Sequence, residues 1–431
     1  MAPRRLVPPL PRTAWVVLSG DALSAVGSGL TLPFFLVYLS RIRGIEVELA
    51  GLALATVALA GFAGNPLGGW LSDRIGSRRT LIGGLLVAAA GAFSITLVQA
   101  PWQAFAAAAV VGFGAAVVWP AQDSLLATVV APRQRSSVFS VRHATLNAGF
   151  GAGALIGALI ADLSSPASFV ILYLLDGLTF LAFVPILLAL RGIGNVVRAM
   201  DLPVTDAGSA AQGGYLRVLR DRTFLRVWLL TALLIAVGFS QTHAVFPAFT
   251  TGAGGISASG LSIAFAANTF TVVAAQLFVL RWMVGRRRTT GIVLVSACWG
   301  LTWIVTLLGG NLGGTALAVV AFAAAMVVFA IGETLLSPSL APLVNDLATD
   351  ELRGRYNGMY TLAWTTGFAT GPVIAGAALG ADGGRMLLVG LALACGLAAL
   401  AAWRLGKHLT PAANTVEPSE VPLGLPAAQE P

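Results

Sequence analysis

Five ionisable side chains interrupt stretches that are otherwise almost wholly apolar: Asp21, Asp123, Asp176, His243 and Glu333. A charge at the centre of a lipid-embedded helix costs roughly 2.5–3.5 kcal/mol on insertion scales, so each is a candidate for function. Glu333, in Ile331-Gly332-Glu333-Thr334, is set by an internal repeat at a shift of 218 positions against Ala115, near the middle of the fourth apolar stretch, which puts it near the membrane midplane. A desolvated carboxylate there can hold a proton or pair with a cation, but not do both well, and that mutual exclusion is the chemistry of exchange. Asp21 and Asp123 share one end of the first half of the chain with Arg142 and His143. Such a group serves equally as a buried ion-pair cluster or as a proton relay. For Asp176, in Leu174-Leu175-Asp176-Gly177-Leu178, hydrogen bonding to a neighbouring helix is the simplest use. His243, four residues before Pro247, has a reference pKa suited to sensing pH, or reads as a wetted residue near one mouth. Trp119, Asn147, Gln241, Asn268, Gln276 and Trp364 are the polar and aromatic groups that could line the same interior. Aromatic faces beside a carboxylate suit a lipophilic cation, whereas single aromatics in apolar helices more often pack or anchor.

The elements that must position these groups follow from composition. With 57% hydrophobic and 10% charged residues over 431, there is too little polar surface to cover a water-soluble globule. A spanning helix needs about 20 mostly apolar residues. Twelve such stretches run near 14–39, 49–71, 80–99, 102–130, 141–162, 168–190, 223–249, 259–282, 289–309, 315–338, 358–379 and 385–404, the fifth and eleventh being the least apolar. The net charge of +8 then acquires a topological meaning rather than a nucleic-acid one. With the N-terminus inside, only Arg41, Arg43 and Arg385 of the 26 basic residues fall in outward loops, which predicts both termini in the cytoplasm. The apolar stretch after Arg12 is too long for a cleaved signal and should remain as the first helix. Cys298 and Cys395 lie within spans and form no metal or disulfide framework. Residues 406–431, rich in Pro, Ala and Glu from about Leu409, are expected to be a disordered cytoplasmic tail.

The chain also repeats. A shift of 218 positions sets Gly114 on Gly332, Pro120 on Pro338, Arg135 on Arg353, Gly149 on Gly367 and Gly153 on Gly371. A shift of 209 sets Gly76-Ser77-Arg78-Arg79-Thr80 on Gly285-Arg286-Arg287-Arg288-Thr289. This predicts an all-α membrane protein of twelve helices in two pseudo-symmetric bundles, 14–190 and 223–405, joined by a cytoplasmic linker at 191–222 with an amphipathic stretch from Tyr215 to Arg226. Gly149, Gly153 and Gly157, like Gly367 and Gly371, recur at four-residue spacing, which lets helix backbones touch.

Between the second and third stretches runs Gly69-Trp70-Leu71-Ser72-Asp73-Arg74-Ile75-Gly76-Ser77-Arg78-Arg79. This resembles the loop signature of the major facilitator superfamily, departing only at Ser77, where a basic residue is usual. The second-half copy, Phe278 to Arg288, keeps Gly285 and the basic run but has Trp282 in place of the acid. With the twelve stretches and the repeat, the resemblance covers residues 14–405. It implies that Gly69, Asp73, Arg74, Gly76 and Arg78 work as a gate, with Asp73 reaching the start of the eleventh helix near Arg355 and Asn357. Arg74 and Arg78 would pair with inward acids or serve only as topology charges. The segment around Glu333 looks like the tenth helix of bacterial drug/proton antiporters. Two departures stand against that likeness: Ala109 occupies the position of a common fourth-helix arginine, and Ala152-Gly153-Ala154 lacks a usual proline that the second half keeps as Gly371-Pro372.

Rival classes find little support. The only Gly-Lys, Gly406-Lys407, is followed by His408 and not by the Ser or Thr of a phosphate-binding loop. His143, His243 and His408 are scattered, which leaves no catalytic cluster. The resemblance therefore implies a secondary active transporter, without cofactor and driven by the proton gradient, that exports a small lipophilic or cationic compound by alternating access. It would sit as a monomer in a bacterial inner membrane, with a small-molecule substrate, the lipid bilayer and no nucleic acid as partners. The alternatives are export of an endogenous metabolite such as a siderophore or antibiotic, and a transport-inactive sensor on the same fold.

Overall fold

The computed structural model describes residues 8–162, 165–190, 193, 214–380 and 384–418. Twelve long helices dominate it. In the first half they are α1 (Arg12–Thr31, continued by short turns to Ile42), α2 (Val47–Ile75), α3 (Ser77–Ile95), α4 (Pro101–Val129), α5 (Arg135–Ile160) and α6 (Pro166–Ala189). In the second they are α7 (Arg222–Leu234, continued to Thr251), α8 (Ala258–Met283), α9 (Arg288–Gly309), α10 (Ala316–Leu336), α11 (Arg353–Gly380) and α12 (Gly384–Leu405). Among the described residues, eleven are long and apolar enough to cross a membrane; α11 has the length, with 28 residues, but its first turns are polar. Lipid explains the uniform choice of helix, since each backbone N–H must be satisfied within its own segment. An isolated bridge between Arg287 and Thr415 is the one piece of β pairing among the described residues.

Packing divides the helices into two bundles. Helix α1 lies against α5 and α6, α4 against α2 and α3, α8 against α10, and α9 against α10 and α12; the halves meet where α2 and α4 touch α11 and where α5 touches α8. Small residues make this approach possible. A Cβ on Gly153 would stand 2.1 Å from the carbonyl oxygen of Val26 in α1, and one on Gly371 1.7 Å from Ser240 Oγ in α7. The spaced glycines therefore act in helix packing.

Three sequence expectations change. The fifth helix begins at Arg135, not 141, because the polar turns Arg135 to Ser140 are buried against the other half instead of lying in a wet loop. The amphipathic stretch is split into a short helix, Gly214–Arg220, and the start of α7; Asp221 breaks it by accepting hydrogen bonds from the Thr223 and Phe224 N–H groups as an N-cap. The rest of the expected linker lies largely outside the described residues. The expected disordered tail is folded as far as Val416: Asn414 and Val416 are buried, paired to the loop between α8 and α9. Low apolar content misled here because backbone and amide hydrogen bonds carry the attachment. Residues 419–431 lie outside the described residues.

Candidate functional site

Two polar clusters occupy the interior of the helices. In the first half Arg142 of α5 donates from Nε to Asp21 Oδ2 at 2.9 Å and from Nη1 to Asp123 Oδ1 at 2.5 Å. All three residues are buried, and the guanidinium lies 4.7 Å from the ring centroid of Trp119. One buried cation thus serves two carboxyl groups from α1 and α4 and ties both helices to α5.

The second cluster crosses between the halves. His143 Nε2 of α5 lies 3.2 Å from Glu333 Oε1 of α10, and Asn268 Nδ2 of α8 donates to Glu333 Oε2 at 3.4 Å. Asn147 Nδ2 stands 3.3 Å from the same His143 nitrogen and donates to the His143 carbonyl at 3.0 Å. Glu333 is buried, while His143 is partly open. His243 of α7 is exposed. The sequence grouping of His143 with Asp21 and Asp123 is therefore corrected. Successive residues of a helix point about 100° apart, so His143 cannot face the partners of Arg142.

An aromatic group joins α7, α9, α10 and α11. Phe239 packs 5.4 Å from Trp364, 5.5 Å from Trp299 and 5.6 Å from Phe329, and Tyr360 meets Trp364 at 6.4 Å. Two expected lining residues have structural tasks instead. Gln241 is fully buried and donates to the carbonyls of Ala236 and Gly371, spanning α7 and α11 where a π turn at Ile235–Phe239 disturbs the helix ladder. Gln276 donates to the Thr334 carbonyl at 3.1 Å, an acceptor left without its helical partner because Pro338 has no N–H. Asp176 is buried and accepts from the Thr31 hydroxyl at 2.9 Å, which joins α6 to α1.

The loop motif closes the arginine-rich face. Gly69 approaches α11 so closely that a Cβ would stand 2.4 Å from the Gly354 carbonyl oxygen. Asp73 then accepts hydrogen bonds from Gly354 N at 2.6 Å and Arg355 N at 3.0 Å, with the Arg355 guanidinium 3.4 Å away. A carboxylate on the first free N–H groups of a helix answers both the orphan donors and the positive end of the dipole. Asn65 donates to Thr365 Oγ1 at 2.7 Å along the same seam. Asn357 instead turns to Asn345, forming a reciprocal amide pair at 2.9 and 3.2 Å. Arg74 and Arg78 pair with no acid among the described residues: Arg74 stacks on Trp70 at 4.9 Å, and Arg78 donates to the Leu187 and Leu190 carbonyls that end α6. Gly76 turns the chain between α2 and α3 at a φ of 96°, where a side chain would be strained. From the linker, the Tyr215 hydroxyl donates to the Pro66 carbonyl; burial, then the nearby Asp73 charge, raise its pKa.

On the other seam Arg135 of α5 pairs with Asp346, which also accepts from Arg288 Nη1 at 2.5 Å, and Ser136 Oγ donates to the Pro338 carbonyl at 3.0 Å. Asp346 and Asn345 were missed by sequence reasoning. The signal available was the doublet Asn345-Asp346, which the repeat sets against the uncharged Ala127-Thr128. Both seams are thus shut at this face. Gly69→Val and Asp73→Asn should each shift the protein toward opening there, Asp73→Asn by about tenfold from the loss of charge-assisted bonds. Labelling of a cysteine placed behind the seam would show it, and unchanged labelling in both variants would remove the latch from the argument.

Comparison with known proteins gives one consistent answer. A family model described as Major Facilitator Superfamily matches residues 17–327 and 244–427. The MFS-type transporter YttB of Bacillus subtilis is 25% identical over 346 residues, covering 79% of this chain and 81% of its own. The quinolone resistance protein NorA of Staphylococcus aureus is 27% identical over 241 residues, 56% of this chain and 58% of its own. Among solved structures, a bacterial homologue of the iron transporter ferroportin in an outward-facing state superposes with a TM-score of 0.73 at 15% identity, covering 92% of this chain and 100% of that one. The human organic anion transporter MFSD10 does so with a TM-score of 0.68 at 16% identity and the same coverage. At those identities the structural likeness speaks for the fold alone.

Proposed function

The chain belongs to the major facilitator superfamily and is a secondary transporter of the drug-efflux type, and from that premise we propose that it exchanges protons for a small lipophilic cation. The observation that carries this reading is the contact between Glu333 and His143 across the two bundles. Its chemistry has two forms. With Glu333 ionised, His143 Nε2 carries a hydrogen and donates to it; with Glu333 protonated, the carboxyl hydrogen is given to an Nε2 lone pair. A cation beside Glu333 competes with the proton, because it favours the bare carboxylate over the protonated acid and repels an imidazolium at His143. Trp364 and Phe239 form an aromatic group in the same half of the chain that can supply ring faces to a lipophilic cation, and relatives named as multidrug and quinolone resistance proteins support efflux as the direction.

The protein is a multi-pass inner-membrane protein of bacterial type. Its arginine-rich face is the cytoplasmic one in our reading, with both termini on that side, and one copy suffices because each cluster is complete within the chain. Asp73 and Asp346 hold that face shut while the substrate leaves on the other side; proton uptake from outside resets the bundles. Purified protein in liposomes should release protons when a monovalent lipophilic cation is added, and far fewer when a neutral or anionic analogue is. Equal signals from all three analogues would rule out the cation reading, and no signal from any would favour metabolite export or a sensor.

A further inference from the structure

Residues beyond α12 return to the arginine-rich face and build a short strap. Thr410 caps the helix Pro411–Asn414, after which Val416 exchanges backbone hydrogen bonds with the loop before α9: Gly285 N donates to the Val416 carbonyl at 2.8 Å, and Val416 N to the Arg286 carbonyl at 3.0 Å. Between them Asn414 accepts from Thr289 N at 3.0 Å, and its own amide donates to Thr289 Oγ1 at 3.1 Å. Val416 is fully buried and Asn414 nearly so. The strap also reaches a charge. Arg288 is 2% exposed, and its Nη1 donates to the Ala413 carbonyl at 2.8 Å and to Asp346 Oδ2 at 2.5 Å. The other oxygen of Asp346 receives Arg135 from the opposite bundle.

We propose that residues 410–416 are a positioning strap for transport: they hold Arg288, Arg288 holds Asp346, and Asp346 closes the α5 seam on Arg135. Two guanidiniums share one carboxylate only while each is kept at its own oxygen, since Arg135 and Arg288 repel one another. The buried Arg288 already has an Nε without a partner among the described residues. Removing the Ala413 carbonyl strips a further acceptor from a desolvated cation, which then turns toward water or toward Arg135. In either case the seam loses its order. The inference rests on the alternating-access part of the proposed function but not on protons or on the identity of the substrate.

The test measures the width of the arginine-rich face by electron-spin distance between labels at Arg79→Cys and Glu351→Cys, both exposed, in a Cys298→Ser/Cys395→Ser background. Asn414→Ala should raise the open fraction about fivefold, the effect expected of losing about one net hydrogen bond. Asn414→Asp should behave as the parent, because its carboxylate still accepts from Thr289 N and the threonine hydroxyl can turn to donate. Adding Asn414→Ala to Asp346→Asn should open the face no further than Asp346→Asn alone. If Asp346→Asn opens the face and Asn414→Ala does not, or if the two effects add fully, the strap is wrong and the seam stands. If Asp346→Asn itself leaves the face shut, the gating reading beneath falls instead.

Discussion

Replacing Glu333 by glutamine should abolish proton-coupled transport while leaving the protein folded. Glutamine keeps the volume, and its carbonyl can still accept from Asn268, 3.4 Å away in the parent, while its amide can donate to His143 Nε2. What it cannot do is gain and lose a proton. One proton exchanged for one monovalent cation moves no net charge, so each unit of pH difference is worth about 1.4 kcal/mol, or about tenfold in accumulation. In proteoliposomes the wild type should follow that slope, whereas Glu333→Gln should show accumulation independent of pH and no substrate-dependent proton release. A variant that keeps the slope would move the proton to Asp21 or Asp123, the buried acids beside Arg142.

The second large effect concerns stability. Arg142→Met should destabilise the protein by about 3–5 kcal/mol, the usual result of removing one partner from a buried ion cluster. Asp21 and Asp123 would be left facing each other across α1 and α4 with no cation between them. Trp119 would also lose the guanidinium over its ring. Methionine fills most of the arginine stem, so a cavity is not the main term. Thermal unfolding in detergent measures the drop, and the triple variant Arg142→Met/Asp21→Asn/Asp123→Asn should recover most of it. If Arg142→Met melts with the parent, the cluster is not holding the first bundle together. If the triple variant is stable yet fails to transport, the cluster takes part in exchange as well as in folding.

Much of the fold was legible because lipid imposes long apolar stretches and permits few ways of meeting backbone hydrogen bonds. The repeat and the loop motif then located both bundles and the approach of Asp73 to α11. What stayed hidden depends on side-chain direction and on polar contacts that leave no periodic trace. His143 is adjacent to Arg142 in sequence, yet it faces a different helix in a different bundle. Gln241 and Gln276 looked like lining groups but mend a π turn and a proline gap, defects visible only once the backbone is drawn. Arg78 meets backbone carbonyls at the end of α6, where the sequence suggested an inward acid or a topology charge alone. The folded tail escaped notice because its main anchors are one valine and one asparagine within a polar, proline-rich segment.

The two seams differ in which side of each contact is encoded. Asp73 is received by the N–H groups of Gly354 and Arg355, which nearly every amino acid supplies. Side-chain replacement at position 355 therefore leaves the receiving N–H in place, and among ordinary substitutions proline alone deletes it. Asp346 and Arg135, by contrast, meet through side chains on both partners. Replacing Arg355 costs the first seam an ion pair but leaves both N–H donors to Asp73, whereas replacing either Arg135 or Asp346 removes the second contact outright, so second-site revertants of an Asp73 lesion should cluster around Asp346, Arg288 and their supports.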